Sequence, residues 1–410
     1  MSKRQTATIA ARAGVDVDPA QGAVMPPLYL SSNYSFAGFG QKRRYDYTRS
    51  GNPTRDVLAG ALAELEGGAG GVVTASGMAA ITLLTAQLKP DDLLIAPHDC
   101  YGGCCRLFKA QAERGLYHVD FIDFTDQAAV TAALARKPKV VWIETPSNPL
   151  LRITDVAALA RLAHAVDATV VVDNTFLSPA LQQPIALGAD LVVHSTTKYL
   201  NGHSDVVGGA VVWKDAALGE QIAWWCNCLG VGGAPFDSYL TLRGLRTLQP
   251  RLRAHQENAN ALAQLLAAHP AVEKVYFPAL PTHPGHALAA RQQRGFGAML
   301  SFDLAGGEPA VAAFVDGLTC FTLAESLGGV ESLVAHPATM THASMDAAAR
   351  RRAGIGDGLI RVSVGIEATE DLVADFEVAL SLAAASAAIA VPFTPPPITN
   401  RSNVFNGGAR

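Results

Sequence analysis

Two side chains of catalytic type follow successive apolar runs in the middle of the chain. Asp173 ends the run Val170–Val172, and Lys198 comes shortly after the run Leu191–Val193. Such runs predict buried strands, and ligands of parallel sheets gather at the carboxyl ends of the strands. An aspartate and a lysine at these ends suit pyridoxal 5′-phosphate, because the carboxylate keeps the pyridinium nitrogen protonated while the amine forms a Schiff base. Each residue alone has a more ordinary interpretation, a helix cap for Asp173 and a solvated amine for Lys198.

The sequence also offers groups for the phosphate and the ring of this cofactor. Residues 76–78 (SGM) open a predicted helix, whose first N–H groups and positive dipole end favour an anion. Ser195 and Thr197 add hydroxyl donors beside the lysine, and Tyr101 follows another predicted strand and can stack on the ring. The motifs GxGxxG after a first strand, GxxxxGK[ST], HExxH and GxSxG are absent, which disfavours NAD enzymes, P-loop NTPases, zincins and α/β-hydrolases.

The surrounding pattern predicts the elements that must position these residues. Over residues 58–245, apolar runs alternate with amphipathic stretches, which indicates an α/β domain with a mainly parallel sheet and helices on both faces. Residues 1–57 lack sustained periodicity and are predicted to form an N-terminal arm that contacts a neighbouring subunit. Residues 246–390 are predicted to form a smaller C-terminal α+β domain, whose last helix has Thr369 as its N-cap. Residues 391–410 are predicted to be a disordered tail.

Composition excludes several classes of protein. Hydrophobic residues make up 49% and charged residues 17% of the 410, which excludes global disorder. The net charge of −4 disfavours a nucleic-acid partner. The six cysteines lack the spacing of a disulfide framework or a zinc site, so no metal is predicted. No apolar stretch approaches the roughly 20 residues of a membrane span, and we expect a cytoplasmic protein that acts on small molecules.

One long motif resembles a known family. Residues 195–205 (STTKYLNGHSD) resemble the cofactor-lysine signature of the Cys/Met-metabolism family of pyridoxal-phosphate enzymes. The resemblance covers roughly residues 5–390 and implies pyridoxal-phosphate fold type I, the aspartate-aminotransferase type. It also implies a homotetramer of two tight dimers, with each active site shared between two subunits. Three further segments point to members that perform γ-replacement: 97–103 (PHDCYGG), 291–297 (RQQRGFG) and 321–333 (FTLAESLGGVESL).

The resemblance implies a role for each matching residue. Lys198 forms the Schiff base and moves protons, Asp173 pairs with the pyridinium, and Tyr101 stacks on the ring and assists catalysis. The implied phosphate-binding residues are Gly77, Met78, Ser195 and Thr197, with Tyr47 and Arg49 supplied by the neighbouring subunit. The implied substrate-binding residues are Asp46, Arg106, Asn148, Glu325, Ser326 and Arg361, of which Arg361, Asn148 and the Ser326 backbone hold the α-carboxylate. Two alternatives stay open: a solvated helix side chain for Arg106 and a structural carboxylate for Glu325.

The implied reaction is a γ-replacement that joins O-succinyl-L-homoserine to L-cysteine and yields L-cystathionine and succinate, a transsulfuration step of methionine biosynthesis. The alternative on the same scaffold is γ-elimination of cystathionine to cysteine, 2-oxobutanoate and ammonia. Asp46 disfavours it, because γ-eliminating members more often have glutamate there. Gly103 stands where methionine-cleaving members have cysteine, and Glu325 where we expect an aromatic residue in β-eliminating members. A non-catalytic α/β binding protein is disfavoured by the pairing of Lys198 with Asp173.

Overall fold

The computed structural model describes residues 4–341, 350 and 353–390, so the predicted tail 391–410 lies outside the described residues. The helices among the described residues are α1 (Thr6–Ala11), α2 (Pro53–Glu66), α3 (Gly77–Thr85), α4 (Gly102–Glu113), α5 (Gln127–Ala135), α6 (Val156–His164), α7 (Ser178–Leu181), α8 (Ala216–Leu229), α9 (Pro235–Leu245), α10 (Leu248–Ala268), α11 (His286–Gln292), α12 (Gly307–Asp316) and α13 (Thr369–Ala390). The strands are β1 (Gly70–Thr74), β2 (Leu93–Pro97), β3 (His118–Ile122), β4 (Val140–Glu144), β5 (Thr169–Asp173), β6 (Leu191–Ser195), β7 (Gly209–Trp213), β8 (Val272–Tyr276), β9 (Met299–Leu304), β10 (Thr322–Leu323), β11 (Leu333–Ala335) and β12 (Leu359–Ser363).

Seven strands form a large sheet in the order β1-β7-β6-β5-β4-β2-β3. The pairs from β3 to β6 are parallel, and β7 lies antiparallel between β1 and β6. This arrangement confirms the predicted α/β fold with a mainly parallel sheet. Because β4, β5 and β6 run in the same direction, the polar residues at their carboxyl ends meet at one edge of the sheet.

Helices cover both faces of the large sheet. Along β5, Val170 packs in the core formed with α2 and α6, whereas Val171 packs in the core formed with α3 and α4. Side chains alternate between the two faces of a strand. Glu144, Asp173 and Ser195 therefore project from three neighbouring strands onto the face covered by α3 and α4.

The helices next to the site begin and end at residues suited to these positions. Asn52 caps α2 by accepting hydrogen bonds from the N–H groups of Thr54 and Arg55, and Gly67 ends the helix with φ +74°. Ser76 follows β1 and caps α3, where its hydroxyl accepts the N–H of Ala79 at 3.0 Å. The chain thus turns from β1 into a helix whose first residue, Gly77, lies next to Ser195.

Five strands form a second, smaller sheet in the order β10-β11-β12-β9-β8. Its pairs are antiparallel except for β10 with β11. One face packs on α10, α12 and α13 around Phe302, Phe314 and Phe376, whose rings touch edge to face or tilted. Ile360 and Val362 of β12 belong to this core. By strand alternation Arg361 projects from the opposite face, towards the large sheet.

Residues 4–52 contribute little regular structure. α1 packs against α2 and α10, and the chain that follows has isolated bridges such as Asn33 with Tyr47. Large apolar side chains of this stretch are exposed, including Leu30, Phe36 and Phe39. The predicted boundary near residue 58 falls within α2. Among the described residues, no helix combines the length and the apolar character needed to cross a membrane.

One local prediction was wrong. The last helix begins at Thr369, but the Thr369 hydroxyl donates to Oδ1 of Asn258 at 2.6 Å. The first helical hydrogen bond runs from the N–H of Leu372 to the carbonyl of Ala368, which makes Ala368 the capping residue. The threonine therefore ties the helix to α10 and does not cap its own N-terminus.

Candidate active site

A cavity of about 680 Å³ opens where β4, β5 and β6 end, between the two sheets. Its lining includes these predicted site residues: Gly77, Met78, Tyr101, Arg106, Asn148, Asp173, Ser195, Thr197, Lys198, Glu325, Ser326 and Arg361. A second cavity of about 850 Å³ lies near Arg152 and Tyr276 and contains none of the predicted site residues. Although it is larger, the grouping of reactive side chains makes the first cavity the candidate active site.

Asp173 stands at the carboxyl end of β5 and faces the cavity. Its Oδ1 accepts the N–H of Thr175 at 3.0 Å, which fixes the carboxyl group in the turn after the strand. Burial raises the pKa of Asp173, and the hydrogen bonds from Thr175 oppose that rise. A cation placed beside the carboxyl group would restore its negative charge, which is the role that a pyridinium nitrogen requires.

Lys198 extends from the turn after β6 into the same cavity. Its Nζ donates a hydrogen bond to Oγ of Ser326 at 2.6 Å. Burial lowers the pKa of Lys198 to about 8, and the nearby Arg361 guanidinium acts in the same direction. A much larger fraction of this amine is therefore unprotonated than in a solvated lysine. The unprotonated amine can act as both a nucleophile and a base near neutral pH.

The amino end of α3 and the start of the lysine turn form one wall of the cavity. The N–H groups of Gly77 and Met78 belong to the first turn of α3 and have no partner within the helix. A Cβ at position 77 would lie 2.9 Å from Cβ of Ser195, so only glycine allows the helix to approach the lysine turn this closely. The Thr197 hydroxyl donates to the carbonyl of Gly208 at 3.2 Å and accepts the N–H of Gly208 at 3.0 Å.

Tyr101 borders the cavity at the start of α4. The space next to its ring is kept by Gly103, where a Cβ would lie 2.5 Å from Cε1 of Tyr101 and 2.8 Å from Sδ of Met78. Burial raises the pKa of Tyr101 above its ordinary value, so the side chain is a phenol at neutral pH. The ring can therefore donate a proton, whereas a role as a base would require a bound group that lowers the pKa.

Arg361 joins the two sheets at the cavity. Its Nη1 donates to Oδ1 of Asn148 at 3.3 Å, and its Nη2 donates to the carbonyl of Ser326 at 2.9 Å. Nε of Arg361 is buried and has no hydrogen-bond partner. Burial lowers the pKa of Arg361 to about 10. Ser326 adopts φ +85°, an uncommon conformation that directs its carbonyl to Arg361 while its hydroxyl meets Lys198.

Comparison with known proteins agrees with this geometry. Residues 7–381 match the family model described as Cys/Met metabolism PLP-dependent enzyme. The chain belongs to this family. It is 60% identical to the cystathionine gamma-synthase of Escherichia coli strain K12, over 91% of this chain and 97% of that protein.

Two solved structures give the same relationship. The cystathionine gamma-synthase of Xanthomonas oryzae pv. oryzae, solved in complex with cystathionine, is 65% identical with a TM-score of 0.92 and covers 93% of this chain and 99% of its own. The cystathionine gamma-lyase of Lactobacillus plantarum, complexed with L-serine, is 43% identical with a TM-score of 0.90 and covers 93% of this chain and 100% of its own. The two cystathionine gamma-synthases are thus more similar in sequence to this chain than the cystathionine gamma-lyase of Lactobacillus plantarum is.

The cavity of this PLP-dependent enzyme fits its cofactor. The close approach at Gly77 leaves free N–H groups and the hydroxyl of Ser195 on one wall, which are suitable donors for a phosphate. On the same face of the sheet, Asp173 can hold a pyridinium, and Lys198 offers an amine whose pKa of about 8 suits a Schiff base. One cavity therefore offers hydrogen-bond donors for the phosphate, a carboxyl group for the ring nitrogen and an amine for the Schiff base.

A buried hydrogen-bonded pair on the opposite face of the large sheet was not predicted from the sequence. His194 Nε2 and Oε1 of Glu66 lie 2.7 Å apart with both side chains fully buried. Nδ2 of Asn174 also donates to this carboxylate at 2.8 Å. His194 and Asn174 flank Ser195 and Asp173 in the sequence, so the pair anchors two site strands from behind. Because 128 residues separate His194 from Glu66, no local sequence pattern indicates their contact.

Three predicted site residues do not line the cavity of their own chain: Asp46, Tyr47 and Arg49. Asp46 forms an ion pair with Lys42 at 2.7 Å, which with the Ser50 hydroxyl lowers the pKa of the carboxyl to about 2. Nη1 of Arg49 donates to Oδ1 of Asn227 at 2.6 Å, and the Tyr47 side chain is 47% exposed. Their predicted roles therefore require a site on another subunit.

Proposed function

We propose that the enzyme is a cystathionine γ-synthase that converts O-succinyl-L-homoserine and L-cysteine into L-cystathionine and succinate. The observation that carries the proposal is the junction at Ser326, where Lys198 and Arg361 meet through hydrogen bonds of 2.6 and 2.9 Å. A base and a carboxylate-binding group are thereby joined on one side of the cofactor cavity. The 60% and 65% identities to two cystathionine gamma-synthases support this choice among the reactions of the family.

Arg361 binds the α-carboxylate of the amino-acid substrate. Its guanidinium is buried with Nε lacking a partner, and a carboxylate supplies both the acceptor and the opposite charge. Oδ1 of Asn148 orients the guanidinium from the large sheet. Substrate thus binds with its α-carboxylate against the small sheet and its α-carbon near Lys198.

Lys198 moves the protons of the reaction. Its amine, with a pKa of about 8, accepts the proton from Cα of the substrate and gives it up to the bound cofactor. Restored to its neutral form, the amine then accepts a proton from Cβ, after which the γ-ester leaves as succinate. The bound cofactor supplies the electron sink for these steps. The thiolate of cysteine then attacks Cγ, and Lys198 returns the protons, so that the atoms of both substrates balance those of cystathionine and succinate.

Arg106 and Glu325 bind the distal parts of the substrates. Both line the cavity and both are exposed, Arg106 on α4 and Glu325 next to Ser326. A guanidinium suits the succinyl carboxylate, and a carboxylate suits the ammonium group of cysteine. Asp46 of a neighbouring subunit completes this end of the site.

The enzyme is a homotetramer of two dimers in the cytoplasm, organised as arm 1–57, large domain 58–245 and small domain 246–390. Exposed apolar side chains at Leu30, Phe36 and Phe39 support burial of the arm on another subunit. In the dimer, Tyr47 and Arg49 contact the cofactor phosphate bound by the partner. Free cysteines throughout the described residues support a reducing compartment. Light scattering of the purified enzyme measures the tetramer directly, and a stable monomer would exclude the shared site.

Product analysis tests the proposed reaction. The enzyme is incubated with O-succinyl-L-homoserine with and without L-cysteine, and separately with L-cystathionine. Cystathionine and succinate should form in the first mixture, with little 2-oxobutanoate from cystathionine. The 43% identical γ-lyase makes γ-elimination the second candidate. Cysteine, 2-oxobutanoate and ammonia as the main products from cystathionine would establish that activity and refute the synthase.

A further inference from the structure

Glu144 is a buried carboxylic acid at the cofactor site to which the mechanism above gives no task. It ends β4, is 5% exposed and lines the cavity. Its Oε2 accepts the N–H of Tyr101 at 2.7 Å, and its carboxyl group also accepts the backbone N–H of Asn148. One side chain therefore holds the main chain of two residues with proposed roles, the ring-stacking Tyr101 and the carboxylate-orienting Asn148.

The strand register places a second carboxyl group beside it. Glu144 pairs with Asp173 in the parallel ladder of β4 and β5, and both side chains project from the same face. Paired residues on neighbouring strands stand about 5 Å apart. Within the described part of the chain, no ion pair joins Glu144 to a cation. Two buried carboxyl groups this close cannot both be ionised unless a cation lies beside them.

The environment decides which of the two keeps the proton. Asp173 receives hydrogen bonds from Thr175, which stabilise its negative charge. Burial, followed by the charge of Asp173, raises the pKa of Glu144 well above its ordinary value, and this rise outweighs the opposing effect of the N–H groups of Tyr101 and Asn148. The ring nitrogen of the cofactor adds further stabilisation to the Asp173 anion.

We propose that Glu144 is a positioning residue that acts as a neutral carboxylic acid, holding the backbones of Tyr101 and Asn148 while Asp173 alone carries the negative charge. A neutral acid accepts both N–H groups without competing for the pyridinium. Ionised Glu144 would instead place a second anion next to Asp173. The inference rests on the proposed roles of Tyr101 and Asn148 and extends them to the group that sets their positions.

A pair of substitutions separates the hydrogen bonds from the charge. Glu144→Gln keeps an acceptor oxygen of the same reach without a titrating proton, whereas Glu144→Leu removes the acceptor. We expect Glu144→Leu to raise the dissociation constant of pyridoxal phosphate and the KM for the homoserine ester, each by about tenfold or more, because the N–H groups of Tyr101 and Asn148 lose their acceptor. Glu144→Gln should restore both constants to within about threefold of the wild-type values.

Cofactor binding is measured by titrating the apoenzyme without amino acids, so this readout is independent of which reaction the enzyme catalyses. Infrared difference spectra between wild-type and Glu144→Gln holoenzyme give a second readout, because a protonated carboxyl group has its own carbonyl band. Asp303→Asn is the matched control, since it removes another partly buried carboxyl, hydrogen bonded to Tyr276 in the small sheet. The control should leave both constants unchanged.

Equal losses in Glu144→Gln and Glu144→Leu would show that the charge is required and would overturn the proposal. Wild-type constants in Glu144→Leu would overturn it as well, because positioning would then not depend on Glu144. If Glu144→Leu does not fold, the test uses Glu144→Gln and the infrared spectrum of the wild-type enzyme. A near-normal dissociation constant and KM in Glu144→Gln, together with the carbonyl band of a protonated Glu144, support the inference. Absence of that band refutes it.

Discussion

The amine of Lys198 is buried, and its reactivity should follow pH accordingly. Burial, assisted by Arg361, lowers its pKa from 10.5 to about 8. At pH 7 about one amine in eleven is then neutral, against about one in three thousand for a solvated lysine. Lys198 should therefore capture pyridoxal phosphate about 300-fold faster at pH 7 than an unperturbed lysine of the same nucleophilicity.

The rate of cofactor capture by the apoenzyme measures this pKa without substrate. Absorbance records the reaction from pH 6 to 11, and N-acetyl-lysine amide under the same conditions corrects for ionisation of the cofactor itself. We expect the corrected rate to rise with pH and level off with a midpoint near 8, since only the neutral amine attacks the aldehyde.

Two variants should shift the midpoint in opposite directions. Arg361→Gln removes a positive charge that lowers the pKa of Lys198, so the midpoint should move up. Glu325→Gln removes a negative charge that raises it, so the midpoint should move down. Arg291→Gln, at an exposed ion pair with Asp155 outside the cavity, is the control and should leave it in place. A wild-type midpoint near 10, or shifts of the same sign in both variants, would refute the argument from burial and local charge.

Three further substitutions test the site. Asp173→Asn should weaken cofactor retention and lose most turnover, because a neutral amide cannot stabilise the pyridinium. Wild-type kinetics in this variant would show that Asp173 only stabilises the turn after β5. Gly77→Ala should raise the cofactor dissociation constant about tenfold or more, since the new Cβ would lie 2.9 Å from Cβ of Ser195, and equilibrium titration yielding the native constant would contradict this. Arg49→Ala and Lys198→Ala should each be nearly inactive alone, with the fold retained by circular dichroism. After subunit exchange, a mixture of the two variants should regain partial activity, because a mixed dimer holds one intact site. If exchange is verified by mass and the mixture stays inactive, Arg49 belongs to the site of its own chain.

Local pattern predicted the strands that carry the site. Unbroken apolar runs define β5 and β6, because both faces of the sheet are buried there, and each strand ends within two residues of its apolar run. The same rule missed β3, whose sequence HVDFI mixes polar and apolar residues. β3 is an edge strand with a partner on one side only, so burial does not enforce an apolar pattern.

Long-range pairing was beyond the reach of the sequence pattern. The antiparallel insertion of β7 between β1 and β6 depends on contacts across about 140 residues, for example Gly70 with Trp213. Glu144 was visible only as the end of an apolar run, since its environment comes from its register with Asp173 on the next strand. The backing of His194 by Glu66 likewise required the fold. Residue types at strand ends were predictable, whereas their protonation and mutual support were not.

Arg361 and Lys198 show how two separately folded sheets produce one reactive centre. Arg361 is buried and Lys198 is half-buried, and within the described residues neither forms an ion pair with a carboxylate. Removing a cation from water is unfavourable unless an anion compensates for it, and the two charges also repel each other. Burial and the charge of Arg361 lower the pKa of Lys198, and Nε of Arg361 is buried without a hydrogen-bond partner. A substrate carboxylate relieves the second effect by pairing with Arg361, and Schiff-base formation consumes the amine that the first effect has made nucleophilic. The proximity of two poorly solvated cationic groups thus accounts for both the affinity of the site for a carboxylate and the reactivity of its lysine.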